Sequence, residues 1–224
     1  MMKSQFIAIL MGTGMAAATA IPASAGNWKA VPPPDGGYVS IRGSMAFMDD
    51  VKKGNSTANI RASFDTGVGG SVAVGYITPW GVRLEAEGLY RYFRPQTITV
   101  SVGKASAIIG TSGQVHMFAP MFNALYDFKI PDWPVQPFVG AGIGAVYADV
   151  RPGSGTIPIV HGSSWSLGYQ LLAGVAIPLT PYMTARAMYR FMSPQKMKFR
   201  TLAGTTLKTG PKVQSFDVGV DFRL

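Results

Sequence analysis

Apolar and polar residues alternate strictly in eight segments of this chain, all of them after residue 36. In the segment 82–92 the even positions hold Val, Leu, Ala, Gly, Tyr and Tyr, while the charges occupy odd positions: Arg83, Glu85, Glu87 and Arg91. A period of two places successive side chains on opposite faces of a β-strand. An apolar outside around a polar interior is what a barrel in lipid requires, whereas a soluble sandwich turns its polar residues to water. The alternation therefore predicts membrane-spanning strands.

The alternating segments predict eight strands, at about 38–48, 66–77, 82–93, 115–128, 137–149, 165–179, 183–192 and 213–224. The connections are long at about 49–65, 94–114, 150–164 and 193–212, and short at 78–81, 129–136 and 180–182. Long extracellular loops and short periplasmic turns are typical of outer-membrane barrels, and an even strand count brings both termini to the short-turn side. The predicted fold is all-β, an eight-stranded antiparallel transmembrane up-and-down β-barrel.

The N-terminal segment has the composition of an export signal. Lys3 gives a positive start, a short apolar stretch follows, and an Ala-Ser-Ala sequence that ends at Ala25 fits a signal-peptidase site. We predict that residues 1–25 are a cleaved signal peptide. Residues 26–36, which contain three consecutive prolines, are predicted to be an extended periplasmic leader, and residues 37–224 to form the barrel.

Charge and cysteine content exclude several classes of function. The chain has no cysteine, so disulfide frameworks, thiolate metal sites and thiol catalysis are impossible. The net charge of +9 would suggest nucleic acid in a cytosolic protein. Because the chain carries an export signal, we expect lipid phosphates or surface polysaccharide as the anionic partners, and no nucleic acid.

Aromatic residues collect at both ends of the predicted strands. On the short-turn side they are Tyr38, Tyr76, Trp80, Tyr126, Phe128, Trp133 and Tyr182. On the long-loop side they are Phe47, Tyr92, Phe118, Tyr147, Trp165, Tyr189 and Phe216. Aromatic side chains with a polar tip favour the headgroup levels of a bilayer, so two girdles are predicted.

Five stretches carry a resemblance to a known group: Gly67–Tyr76, Leu84–Phe93, Asn123–Phe128, Pro137–Gly144 and Phe216–Leu224. With them the chain resembles the eight-stranded outer-membrane β-barrels of the opacity-protein and OmpA-like type. The resemblance implies a barrel in the outer membrane of a Gram-negative bacterium. It also implies that the barrel-assembly machinery recognises the C-terminal strand, in which Phe222 precedes the final Leu224, where the family usually has a terminal aromatic residue.

Ionisable residues occupy the inward positions of several predicted strands. They are Arg42, Arg83, Glu85, Glu87, Arg91, Asp127, Arg186, Arg190, Asp217, Asp221 and Arg223. An isolated buried charge costs several kcal/mol, so these groups are expected to pair. Strands seven and eight are neighbours, which predicts that Arg186 and Arg190 meet Asp217 and Asp221, with the two glutamates across the lumen. The set favours a plug of ion pairs; the alternative is a switchable salt-bridge gate for small ions.

The predicted loop 193–212 is basic. It carries five bases and no acid: Lys196, Lys198, Arg200, Lys208 and Lys212. Charge-assisted contacts with lipopolysaccharide phosphates are one interpretation, in which the loop anchors the barrel in the outer leaflet. The other is an ordinary solvated loop.

Residues that could carry catalysis are few. His116 lies near the fourth predicted strand, and His161 and Ser164 near the sixth, without the spacing of a catalytic triad. Two isolated histidines without a carboxylate cluster also argue against a metal site. We expect neither enzyme activity nor a cofactor nor a bound metal.

The predicted function is therefore structural and surface-related. A monomeric barrel would support envelope integrity and display four loops outward. Two alternatives remain open. One is a narrow pore for ions or very small solutes, which a filled eight-stranded lumen disfavours for larger molecules. The other is an adhesin or host-binding surface protein, because long loops are where such functions reside.

Overall fold

The computed structural model describes residues 35–224 except 50, 55–57, 103–104, 111–112, 132, 153–159, 196 and 202–205. Side chains are described outside the segments 51–64, 95–112, 152–161 and 198–209. The predicted signal peptide and nearly all of the predicted leader lie outside the described residues, so both remain predictions. In the described part of the chain, no helix is long and apolar enough to cross a membrane.

Fourteen strands are present among the described residues. They are β1 (Gly36–Met48), β2 (Val51–Gly54), β3 (Ala58–Phe64), β4 (Gly67–Ile77), β5 (Val82–Phe93), β6 (Pro95–Val102), β7 (Ala105–Gly110), β8 (Gly113–Asp127), β9 (Gln136–Pro152), β10 (Val160–Thr180), β11 (Met183–Pro194), β12 (Met197–Thr201), β13 (Thr206–Thr209) and β14 (Val213–Arg223).

Eight of these strands close into a ring. The order around the ring is β1, β4, β5, β8, β9, β10, β11 and β14, and every neighbouring pair is antiparallel. The first and last strands join in an unbroken register from Tyr38 opposite Arg223 to Met48 opposite Val213. The predicted eight-stranded antiparallel barrel is confirmed, and closure leaves its wall without a free edge.

The long connections contain strands of their own. β2, β3, β6 and β7 pair into a four-stranded sheet, and β12 pairs with both β10 and β13. β-branched residues favour strands, and they are frequent in these segments, as in the Thr-Ile-Thr-Val sequence of β6. The segments predicted as long loops are thus partly extensions of the barrel hairpins.

The outer wall of the barrel is apolar. Side chains such as Ile41, Val72, Leu84, Phe122 and Ile143 are more than half exposed, and each occupies the parity predicted to face lipid. Their charged neighbours along the same strands point inward and are buried. This inversion of the usual soluble pattern is what a lipid-facing β-barrel requires.

Aromatic rings lie on the outer face near both ends of the strands. Ring pairs such as Tyr126–Phe128 and Tyr147–Trp165 pack at centroid separations of 5.1 and 5.0 Å. Tyr38 was wrongly predicted to belong to the short-turn girdle. It is 1% exposed and lies in the lumen, because it shares its strand parity with Ser40 and Arg42.

Candidate functional site

The interior of the barrel is the candidate site, and it is divided along its length into two layers. Charged groups occupy the half nearest the short turns, where Asp127 ends β8 and Asp221 lies close to the end of β14. Apolar groups fill the half nearest the long connections, where Phe93 ends β5 and Val115 lies close to the start of β8. We call these the ionic layer and the apolar layer. A smaller cluster of buried apolar residues lies beside the charged groups: Leu125, Phe138, Leu172, Ala176 and Met188.

Glu87 is the centre of the ionic layer. Its two carboxylate oxygens accept from Nη1 and Nη2 of Arg190 at 2.7 Å each. Arg42 Nη1 donates to the same carboxylate at 3.1 Å, Asn123 Nδ2 at 2.9 Å and Gln170 Nε2 at 3.2 Å. Donors from four strands, β1, β8, β10 and β11, therefore converge on one anion, which compensates for its removal from water.

Arg190 links Glu87 to the last strand. Its Nε donates to Asp217 Oδ2 at 2.8 Å, and its Nη1 also donates to Gln170 Oε1 at 2.8 Å. The Ser215 hydroxyl donates to the other Asp217 oxygen at 2.8 Å and accepts from Arg91 Nη2 at 2.6 Å. Arg91 thereby connects to the network mainly through a serine, at the boundary with the apolar layer.

Glu85 organises a second cluster, closer to the short turns. It accepts from Arg42 Nη2 at 2.8 Å and from the Tyr38 hydroxyl, and Arg186 Nη1 lies 3.6 Å away. Arg186 Nη2 also forms a close ion pair with Asp221. Arg42 contacts both glutamates, so it joins this cluster to the one around Glu87.

The periplasmic end of the ionic layer is closed by Arg83 and Phe138. Arg83 Nε lies 2.6 Å from Asp127 Oδ2, and its guanidinium carbon lies 5.0 Å from the Phe138 ring centroid. Arg186 lies over the same ring at 5.1 Å. Two buried guanidinium groups therefore contact one ring, an arrangement stabilised by cation–π attraction.

The buried charges of the ionic layer balance. Five arginines and five carboxylates are buried: Arg42, Arg83, Arg91, Arg186, Arg190, Glu85, Glu87, Asp127, Asp217 and Asp221. Their formal charges cancel. Arg223, the remaining member of the predicted set, is only partly buried at the end of β14. All eleven predicted lumen residues thus lie on inward positions, and ten of them form one buried assembly.

The apolar layer was not foreseen from the sequence, which predicted a polar interior. It is a single cluster of buried residues: Ala46, Leu89, Phe93, Val115, Met117, Ala119, Met121, Val146, Ala148, Met192, Met197 and Val213. Met117, Met121 and Met192 are each no more than 1% exposed. Flexible methionine side chains fill irregular gaps well, so this layer is a packed apolar barrier in the lumen.

Inward glycines make room for the large side chains of the ionic layer. A Cβ at Gly142 would overlap the Asn123 amide oxygen and lie 2.9 Å from the Phe122 carbonyl oxygen. Eight strands enclose space only for side chains, so bulky arginines require such small neighbours. Gly142 therefore keeps Asn123 in position to donate to Glu87.

Among the other predicted site residues, the structure describes the side chains of Lys212, His116 and Ser164. The side chains of Lys196, Lys198, Arg200 and Lys208 lie outside the described residues, and so does His161; Lys212 is exposed at the barrel rim. His116 on β8 bonds to the Tyr90 hydroxyl at 2.7 Å on the outer face, whereas Ser164 lies on β10, beyond β9. Within the described ranges, no three His, Cys, Asp or Glu side chains are grouped to hold a metal ion.

A closed eight-stranded wall, apolar outside and filled inside, defines a small outer-membrane β-barrel protein. Such barrels belong to the outer membranes of Gram-negative bacteria. The chain is a member of the surface antigen family, whose model matches residues 41–220.

One relative is similar to this chain in sequence, and two solved structures are similar to it in fold. An outer membrane protein of Gluconacetobacter diazotrophicus is 35% identical over 141 residues, which cover 57% of this chain and 36% of that protein. The match thus spans about a third of this curated relative's length.

Neisserial surface protein A is similar in fold, with a TM-score of 0.55, 21% identity, and coverage of 84% of this chain and 97% of that one. OprG of Pseudomonas aeruginosa also has a TM-score of 0.55, with 15% identity and coverage of 85% and 97%. At these identities the likeness concerns the fold.

Proposed function

We propose that this protein is a non-conducting barrel that supports the integrity of the outer membrane and displays its extracellular hairpins. The proposal rests on one observation: side chains of the ionic layer and of the apolar layer fill the lumen. An ion would have to displace the paired charges around Glu87 and then cross a barrier of buried methionine and aliphatic side chains. Removing an ion from water into an apolar layer is strongly unfavourable, so passage is blocked.

Planar-bilayer recording tests this proposal directly. The purified protein, inserted into a lipid bilayer, is expected to give no unitary conductance steps, while a general porin recorded under the same conditions gives them. Stepwise openings that recur with every preparation and scale with salt concentration would overturn the proposal in favour of the narrow pore. Heat-dependent gel mobility confirms that the recorded protein is folded.

An adhesive function is the second candidate, and the four-stranded sheet favours it. β2, β3, β6 and β7 extend past the barrel on the long-connection side and form a surface that the barrel itself does not need for closure. Deleting residues 94–114 is expected to abolish cell attachment while leaving the heat-dependent mobility of the barrel unchanged. Unaltered attachment by the deletion variant would remove this candidate.

A further inference from the structure

Aromatic side chains form a continuous row on the outer face of β5, β8, β9 and β10, near the strand ends that lead into the long connections. Each member is directly opposite the next in register: Tyr90, Phe118, Tyr147 and Trp165. Neighbouring strands lie about 4.8 Å apart, so the row is about 14 Å long. We call it the aromatic row. Its length is that of a small saccharide and not of a single ion.

Hydrogen-bonding side chains occupy the next outward positions of the same strands, closer to the long connections. They are Tyr92, His116, Asp149 and Ser163, which we call the polar row. His116 Nδ1 bonds to the Tyr90 hydroxyl at 2.7 Å, and its Nε2 bonds to the Gln114 amide oxygen at 3.2 Å. Asp149 accepts from Arg151 Nε at 2.7 Å. A carboxylate has about four lone-pair sites, so Asp149 can accept further hydroxyl groups.

An apolar groove of about 650 Å³ lies on β5, β8 and β9, further toward the short turns. The outward side chains that line it are Leu84, Ala86, Phe122, Ala124, Ala141 and Ile143. The alanines are smaller than the residues beside them, so the outer wall is recessed there. Gly88 lies between the groove and the aromatic row, and a Cβ at this position would meet no atom within 4 Å. The wall is therefore open from the aromatic row to the groove.

The depth of the groove suits an acyl chain of the outer leaflet. Ala86 precedes Tyr90 by four residues, which is about 13 Å along the strand. One leaflet supplies about half of a hydrocarbon core that is roughly 30 Å thick. A chain whose headgroup lies at the level of the aromatic row therefore reaches the groove.

The outer face of the other barrel strands is different near the same rim. The Tyr189 hydroxyl on β11 donates to Gln214 at 2.9 Å, and the Tyr189 and Phe216 rings pack at 5.4 Å. The neighbouring outward side chains on β1 and β4 are apolar, as at Met45 and Val68. The polar row thus marks one side of the barrel, and the groove lies on that same side.

Charges beside the polar row are balanced. Arg151 pairs with Asp149, and Arg94 lies beside Asp65, whose amide donates to the Arg94 carbonyl at 3.0 Å. The formal charges of these four residues cancel. A ligand of this surface is therefore recognised by hydrogen bonds and ring contacts, and not by net charge.

We propose that the polar row, the aromatic row and the groove together bind one glycolipid of the outer leaflet. Sugar hydroxyls bond to the polar row, the apolar C–H face of a sugar ring packs on the aromatic row, and an acyl chain lies in the groove. A soluble glycan has no chain to fill the groove, and phosphatidylglycerol has no sugar ring to satisfy the two rows. The proposal needs the barrel in an outer membrane and is independent of whether the lumen conducts.

Mass spectrometry of the full protein, released intact from detergent micelles, tests the proposal by counting retained lipids. The probes are lipid A, which is an acylated and phosphorylated glucosamine disaccharide, its dephosphorylated form, its deacylated saccharide, and phosphatidylglycerol. One molecule of lipid A per barrel is expected, with similar affinity for the dephosphorylated form. The deacylated saccharide and phosphatidylglycerol are expected to bind more weakly than either.

Each other result of the probe series overturns the proposal. Equal retention of phosphatidylglycerol would show that the wall holds any acyl chain. Equal binding of the deacylated saccharide would assign the surface to a soluble glycan. Loss of binding on dephosphorylation would show that phosphate charge, and not the sugar ring, is recognised.

The variants W165A and F216A test the aromatic row as a matched pair. Trp165 packs on Tyr147 in the row, whereas Phe216 packs on Tyr189 on the other side of the barrel. An aromatic contact changes affinity by a factor of up to about ten, so W165A is expected to bind lipid A roughly tenfold more weakly. F216A is expected to bind like the unaltered protein. Equal affinities of the two variants would contradict the assignment of the row.

The groove and the polar row have variants of their own. A124F fills the groove, and A187F places the same ring on the outer face of β11. A124F is expected to weaken binding of lipid A but not of the deacylated saccharide, whereas A187F changes neither. H116F keeps a ring but removes its hydrogen bonds, and is expected to weaken binding of both probes about fivefold. Heat-dependent gel mobility checks that each variant is folded, and unchanged lipid A binding by folded A124F and H116F would refute the proposal.

Discussion

Arg190 and Glu87 face each other across the full width of the lumen and are joined by two hydrogen bonds of 2.7 Å. β11, which carries the arginine, and β5, which carries the glutamate, are four strands apart in either direction around the ring. The pair therefore ties opposite walls of the barrel together. Because both side chains are buried, neither group can regain water if its partner is lost.

Glu87→Gln is expected to destabilise the barrel strongly. The substitution keeps the size of the side chain but leaves Arg190 and Arg42 without their shared carboxylate. Removing one partner of a buried ion pair costs about 3–5 kcal/mol, because the other charge stays buried and unpaired. Denaturant unfolding in detergent micelles, followed by heat-dependent gel mobility, measures the change.

Asp149→Asn is the matched control for that experiment. Asp149 pairs with Arg151 at 2.7 Å near the rim, where the arginine side chain is 68% exposed. Exposed pairs contribute about 0–1 kcal/mol, so the free energy of unfolding should change little. Equal losses in the two variants would show that burial does not set the strength of these pairs.

Met117→Ala is expected to destabilise the apolar layer, whereas Met45→Ala is not. Met117 is 1% exposed within the lumen, and Met45 is 58% exposed on the lipid-facing wall. Truncating a buried methionine to alanine costs about 2–5 kcal/mol because it leaves a cavity. The outward methionine loses contact only with lipid or detergent, which refills the space. Unfolding midpoints of the two variants, compared in one detergent, check the difference.

Gly142→Ala is expected to destabilise the barrel by about 1–3 kcal/mol, because overfilling a packed interior strains it. The added methyl group would displace the Asn123 amide from Glu87. Gly88→Ala serves as the control, since no atom lies within 4 Å of a Cβ at that outward position. That variant should be neutral or more stable by up to about 1 kcal/mol. A neutral Gly142→Ala would mean that Asn123 does not depend on this glycine.

Val72→Arg tests the assignment of the lipid-facing wall. Val72 lies in the middle of β4, and Phe47 lies near the long-connection end of β1, both on the outer face. An arginine facing lipid costs about 2–4 kcal/mol at the bilayer midplane and about 0–1 kcal/mol near the interface. Unfolding from lipid vesicles should therefore show a large loss for Val72→Arg and a small one for Phe47→Arg. Similar losses at both positions would contradict the predicted depth of the two residues.

The alternation of residue types was sufficient to predict the wall of the barrel. Arg186 and Asp217, for example, occupy inward parity in segments whose other parity carries no charge. Their strands are adjacent in the ring, which places them on the same inner surface. The individual ion-pair partners could not be predicted from the sequence. The bonds between Arg190 and Glu87, for example, depend on the register of strands that are far apart in the sequence.

The apolar layer was not predicted, because the alternation marks a lumen only where inward residues are polar and outward residues are apolar. In this layer the inward residues are apolar. Met117 and Met121 share their parity with Asn123 and Asp127, so the alternation does place them inward. Near the long-connection end of β8, however, the inward positions are apolar, at Val115, Met117 and Ala119, while the outward positions include Gln114 and His116, so the inner face is not marked as polar. Tyr38 was misplaced for a related reason: its position near a strand end suggested a girdle, whereas its parity with Arg42 indicated the lumen.

The last strand of the ring completes the electrical balance of the interior. Without β14, the buried set would hold five arginines against three carboxylates, because Asp217 and Asp221 both come from that strand. A seven-stranded intermediate would therefore carry an uncompensated double positive charge within its wall. Docking of the final strand neutralises this excess as it seals the seam beside β1. Correct completion of the cylinder is thus favoured by electrostatics as well as by backbone pairing.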